Sequence, residues 1–233
     1  MKKLFLLVGL CLLFSGCQVK GESTQPPTQP EIVITEEERL VEAGYGTIYC
    51  SDPSLPLGQQ EVVFPGTPGT QRQIDLVTYE NGAEISRETM ETVPVSAPVD
   101  QIVAEGTGEA PGQGRRWPLL GEGFLVTPEG QCLAYTHTDQ FRAVAYTSWV
   151  ADTTGTTATG TVARVGAIAV DPSVIPYGTR MYIVTNDGEY IYGLATAEDC
   201  GGGIKGHIID LFFDTLEECY AFGSRQCTVY FLA

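Results

Sequence analysis

Asp199-Cys-Gly-Gly-Gly-Ile-Lys-Gly-His-Ile-Ile-Asp210 leads from one acidic residue through a glycine-rich bend to a second acid inside an apolar segment. Ile208-Ile209 precede Asp210 and Leu211-Phe212-Phe213 follow it, a β-branched and aromatic run that predicts a buried strand. A carboxylate in such surroundings is desolvated, which penalises the ionised form and raises its pKa. That is the condition for a general acid working near neutral pH. The competing structural reading makes Asp210 a turn cap or a partner of Lys205. Around this stretch, Arg142 to Tyr146, Ala167 to Val170, Arg180 to Val184 and Tyr190 to Ala197 read as short strands, with Asn186-Asp187-Gly188 as a hairpin turn. One helix is expected late, from a cap at Asp214 or Thr215 to Gly223. Many short strands and a single helix predict a mainly β chain ending in a small closed barrel.

Composition agrees with this class. The chain of 233 residues carries 27 Gly and 14 Pro, which disfavours a helical bundle or coiled coil. Thirteen basic against 29 acidic side chains give a net charge of -16, which repels a phosphate backbone, so nucleic acid is not an expected partner. The acidity is a solubility feature and does not identify a substrate. Oligomeric state is not legible.

Met1-Lys2-Lys3 followed by the apolar run Leu4 to Phe14 is too short to span a bilayer and has the size of a signal-peptide core, which predicts export. Leu13-Phe14-Ser15-Gly16-Cys17 resembles a bacterial lipobox, so residues 1–17 form a signal segment with Cys17 as lipidation site and membrane anchor. A soluble secreted protein cleaved nearby is the alternative. Export permits disulfides. Cys50, Cys132, Cys200, Cys219 and Cys227 cannot all pair with one another, and their spacing defines no framework.

Residues 18–38 read as a proline-rich tether, and 39–107 as an extended β module. Within the module, Gln73 to Tyr79 and Glu84 to Ser86 flank the hairpin signal Asn81-Gly82. Pro65-Gly66-Thr67-Pro68-Gly69-Thr70 and Pro98 to Thr107 make it resemble the glycine-marked G-five module. That resemblance implies a spacer or a contact to cell-wall glycan. A Gly/Pro linker at 108–118 leads into the barrel, 119–233, where Gly121 to Tyr135 reads as a hairpin turning at Pro128-Glu129-Gly130.

The chemistry is narrowed by elimination. No Gly-x-Ser-x-Gly elbow occurs, and neither His137 nor His207 sits in a triad context. Gly201-Gly202-Gly203 with Lys205 lacks the order of a phosphate-binding loop. No Cys-x-x-Cys pair suggests zinc, and neither a metal nor another cofactor is expected. A thiol nucleophile at Cys200 competes weakly with the carboxylates, which remain as the chemical groups.

Thr157-Ala158-Thr159-Gly160-Thr161, Ala169-Val170-Asp171-Pro172, Val174 to Ile183, Ala197-Glu198-Asp199 and Ile209-Asp210-Leu211 together resemble the three-aspartate (3D) domain, from about Phe141 to Leu232. The domain is similar to the catalytic part of the membrane-bound lytic transglycosylase A family. The chain departs from the usual pattern at Gly203 and His207, and neither departure changes one of the three aspartates. The resemblance implies a double-psi β-barrel that acts on peptidoglycan glycan strands. On it, Asp210 is general acid and then base in a lytic transglycosylase, Asp199 holds Asp210 protonated, and Asp171 adds to the charge environment. Lys205, Thr159 and Tyr146 are the substrate-binding candidates. A glycoside hydrolase using two carboxylates and a non-catalytic wall-binding lipoprotein are the rival readings.

Overall fold

A computed structural model of the chain describes residues 4–5, 29–148 and 155–233. The expected signal segment, Cys17 and the tether as far as residue 28 lie outside the described residues, apart from the backbone at 4–5. The strands in chain order are β1 (Leu4–Phe5), β2 (Ile32–Ala43), β3 (Thr47–Asp52), β4 (Gln60–Phe64), β5 (Gly69–Glu80), β6 (Ala83–Ser96), β7 (Gln101–Gly106), β8 (Leu119–Gly121), β9 (Phe124–Val126) and β10 (Cys132–Tyr146). They continue with β11 (Ala167–Ala169), β12 (Arg180–Thr185), β13 (Ile191–Asp199), β14 (Ile208–Phe212) and, after the helix α1 (Leu216–Phe222), β15 (Arg225–Leu232). Among the described residues the fold is mainly β with one late helix, as the sequence predicts.

Two compact units result, Met1–Thr47 with Pro65–Gln101, and Ile48–Phe64 with Ile102–Ala233. In the first, β2, β5 and β6 form an antiparallel sheet, with β2 and β5 in register from Ile32↔Glu80 to Ala43↔Gly69. The turn from β5 to β6 has positive φ at Asn81 (51°) and Gly82 (83°), the backbone that suits a tight hairpin. The segment expected as tether through residue 38 stops sooner, because Ile32-Val33-Ile34-Thr35 is an unbroken β-branched run, which favours a strand, and it pairs with β5. On one face Val77 and Asp75 are fully buried. The Asp75 carboxylate is satisfied by Arg39 Nε (2.6 Å), an Arg87 guanidinium nitrogen (3.0 Å) and the Thr89 hydroxyl (2.7 Å). A buried charge without such partners would be strongly destabilising.

The second unit is built on a barrel of strand order β14-β11-β13-β12-β15-β10, closed by the pairing of β10 with β14. Two of its pairings, β10 with β14 and β11 with β13, are parallel. Phe141, Ile168, Met181, Ile183, Ile209 and Leu211 fill the interior, and α1 adds Cys219 and Phe222 to the same core. The long strand β10 leaves the barrel at its start, where Cys132 to Ala134 pair with β9; β9 pairs with β8 and β8 with β3. A second core there joins Cys50, Leu55, Ile102 and Ala104 to Leu119 and Val126. Thus β4 and most of β3 and β7, which fall inside the segment expected as one module at 39–107, lie in the second unit. At Gly106 an added Cβ would stand 1.9 Å from the Pro56 carbonyl oxygen, so only glycine fits this approach.

Candidate active site

Strand β14 alternates as its sequence requires. Ile209 and Leu211 point into the barrel core and are fully buried, so Asp210 lies on the opposite face. Its neighbours across the ladder are Val144 on β10 and Ala169 on β11. The Asp210 Oδ1 atom is nevertheless buried and has no hydrogen-bond partner. Burial first, and the negative charge of Asp199 second, push its pKa up to about 7. No ion pair joins it to Lys205 among the described residues, so the competing pairing is not formed.

Ala169 also pairs with Asp199, which places the two aspartates on either side of one short strand. Asp199 is well held. Its Oδ1 accepts the backbone N–H of Ala158 (2.9 Å) and of Cys200 (2.9 Å), and its Oδ2 accepts the Tyr146 hydroxyl (3.4 Å). Tyr146 in turn packs edge-on against Phe212, 5.4 Å between ring centroids. Burial first, then the charges of Asp199 and Asp210, raise the Tyr146 phenol pKa, so it remains a proton donor at neutral pH.

Asp171 has a different environment. Its Oδ1 accepts the Ser173 amide (3.0 Å) and hydroxyl (2.7 Å), and its Oδ2 accepts the amide of Gly206 (2.8 Å). The Gly206 amide, the Ser173 hydroxyl and the Ser173 amide, in that order, hold its pKa down to about 2. Asp171 therefore pins the loop 200–206 to the start of the 171–176 turn. Lys205 is exposed on that loop, and its charge acts on Asp171. His207, at the end of the loop, stacks on Phe141 with centroids 5.0 Å apart and lies 3.1 Å from Asp139 Oδ2. Thr159 donates its amide to the Glu198 carbonyl (3.0 Å) and shares its hydroxyl with Thr157 (3.1 Å).

The structure brings Asp199, Asp210 and Tyr146 together and places Asp171, Lys205 and Thr159 on the loops around them. The sequence reading gave no role to Glu198 or Arg164. Glu198 is buried on β13 and takes a two-pronged contact from Arg164, at 2.7 and 2.8 Å, with the Thr161 hydroxyl donating to the same carboxylate. An acid in a run of small apolar residues was the available signal, but a partner 34 positions away carries no local pattern. Cys200 and Tyr177 are in contact through thiol and phenol, while Cys50, Cys219 and Cys227 are buried thiols. Among the described residues no cluster of three or more His, Cys, Asp or Glu could hold a metal ion, and no helix is long and apolar enough to cross a membrane.

Comparison with known proteins adds family matches. A family model for the 3D domain matches residues 166–233, and one for the G5 domain matches residues 33–108. YabE of Bacillus subtilis (strain 168), named for cell wall shaping, is 30% identical over 213 residues, 85% of this chain and 49% of its own length. The cell wall-binding protein YocH of the same strain is 40% identical over 91 residues, 37% of this chain and 30% of its own length. The chain thus spans half or less of these curated relatives. Among solved structures, a G5 domain of an IgA1 protease matches 35% of this chain and 95% of its own, at 28% identity and a TM-score of 0.21. The G5 domain of HP0197 matches 33% and 99%, at 17% identity and a TM-score of 0.27.

Proposed function

The chain carries a G5 domain followed by a 3D domain, and from that premise we propose that it works at the bacterial cell wall as a peptidoglycan lytic transglycosylase. The observation that carries this reading is the Asp210 carboxyl, with one oxygen buried and unpartnered and its proton retained to about pH 7. Such a group is poised to give a proton and take one back. In the proposed reaction Asp210 protonates the oxygen that links N-acetylmuramic acid C1 to N-acetylglucosamine, and that C1–O bond breaks. The muramoyl C6 hydroxyl then attacks C1 while the Asp210 carboxylate removes its proton. The product is a 1,6-anhydromuramoyl end, and water is not consumed. Asp199 keeps Asp210 protonated through its charge, and Tyr146 keeps Asp199 in place. Asp171 shapes the floor of the site through Gly206. A lipid anchor at Cys17 and export to the outer face of the membrane or the wall belong to the same proposal.

Purified sacculi test the assignment. Asp210→Asn preserves shape but cannot exchange a proton, and acid–base groups contribute about 10²–10⁴-fold. Release of soluble muropeptides is expected to fall by at least about a hundredfold, with circular dichroism unchanged. Activity within about threefold of the parent would remove Asp210 from the mechanism. Reducing ends in place of anhydro ends would make the protein a hydrolase. The name of YocH favours a second reading, wall binding without turnover. Under it, sacculi would retain the protein while releasing no muropeptide.

A further inference from the structure

The partnership of Asp199 with Asp210 depends on an irregularity in β13. Ile168 pairs with Ala197, but the next residue of β11, Ala169, pairs with Asp199, so Glu198 is an extra residue that forms a bulge. Side chains along a strand alternate, and one inserted residue turns everything after it to the other face. Ala195 and Ala197 belong to the barrel core. In a regular strand Asp199 would follow them inward. With the bulge it joins the face of Ala169 and Asp210.

The bulge is held from outside the strand. Arg164 grips Glu198 with both guanidinium prongs, and the Thr161 hydroxyl donates to the same carboxylate. The loop from 155 to 164 adds two bonds donated by backbone amides, Thr159 N–H to the Glu198 carbonyl (3.0 Å) and Ala158 N–H to Asp199 Oδ1 (2.9 Å). We infer that Arg164 is a positioning residue: through Glu198 it locks the bulge that aims Asp199 at Asp210. This rests on the reading of Asp210 as the acid. A forked guanidinium fixes the direction of a carboxylate where an ammonium does not. The Arg164 side chain is itself 54% exposed, so its replacement opens no internal cavity.

Other groups around the pair are separate from this clamp. Tyr146 faces both aspartates from β10, Cys200 and Tyr177 stand beside Asp199, and Cys219 of α1 acts electrostatically with Asp210. The Arg164→Ala substitution itself alters none of these side chains.

The test uses the full chain with ¹³C-labelled aspartate carboxyls, followed by NMR as pH is varied, together with exchange of the Ala158 amide. In Arg164→Ala the Asp210 midpoint is expected to move down by about one unit as the Asp199 charge swings away. Ala158 exchange is expected to quicken, and kcat to fall on the order of tenfold with KM little changed. The alkaline limb of the pH–rate profile follows the midpoint downward. Arg164→Lys, which keeps the charge and loses the fork, is expected to lie between parent and alanine variant. A folded Arg164→Ala with an unmoved Asp210 midpoint overturns the inference, even if Ala158 exchanges faster, since that would mark a purely structural contact. A parent whose Asp210 titrates near the ordinary carboxylate value of about 4 overturns the acid reading instead, and Ala158 exchange then judges the clamp alone.

Discussion

Asp210 and Asp171 come from similar local sequence and have opposite proton affinities. Asp171 is followed by Pro172-Ser173 and accepts two amides and a hydroxyl; Asp210 sits in a strand and has an oxygen that nothing reaches. Stability should record the difference. The Asp210 pKa is about 7 in the folded chain and about 3.9 unfolded. Between those values the folded state holds a proton that the unfolded state has released, so stability falls as pH rises from about 4 to 7 and is level above. Asp210→Asn removes this dependence. Thermal melts are expected to show the variant more stable than the parent at pH 8 and the gap closing towards pH 4; a gap of constant size would mean that Asp210 is not desolvated. The apolar run around Asp210 made its burial legible in the sequence. That Asp171 would serve the loop was not legible, because its decisive partner, the Gly206 amide, is 35 residues away.

At the level of elements, turns and the helix were the readable parts. Asn81-Gly82 dictates its hairpin by backbone preference alone, and α1 was legible because both of its ends are written locally. Thr215 caps the helix by accepting the Glu218 amide (3.2 Å), and Glu218 returns the contact to the Thr215 amide (2.9 Å). Since α1 delivers Cys219 and Phe222 to the barrel core, loosening its first turn weakens the core. Thr215→Ala is expected to cost about 1 kcal/mol in urea unfolding while leaving the Asp210 titration unchanged. A loss under about 0.3 kcal/mol would show that packing alone holds the helix. The bulge at Glu198 was not readable. Ala195-Thr196-Ala197-Glu198-Asp199 is compatible with either face for Asp199, and the choice is made by pairing with β11 and by Arg164, both distant in sequence.

On the scale of the whole molecule, composition and strand pattern revealed a β protein with a small barrel, but the partition of strands between units depends on pairings that span tens of residues. The second core makes truncation sensitive to that partition. A fragment beginning at Gly121 keeps every barrel strand and the three aspartates, yet it discards Cys50, Leu55, Ile102, Ala104 and Leu119, the neighbours of Val126. Burying one such side chain is worth about 2 kcal/mol. The fragment is therefore expected to melt earlier than the full chain's barrel and to bind an apolar dye; equal melting without dye binding would show that the second core adds nothing to the barrel.

Both units draw strands from either side of the stretch between Phe64 and Gly69. Residues before it supply β2 to the first unit and β3 and β4 to the second, while residues after it supply β5 and β6 to the first and the remaining strands to the second. A protease that nicks this connection separates no unit from the other. The twelve-residue ladder of β2 with β5 and the pairing of β4 with β7 each bridge the nick, so a cleaved molecule has two polypeptides under denaturing conditions and remains one particle under native ones.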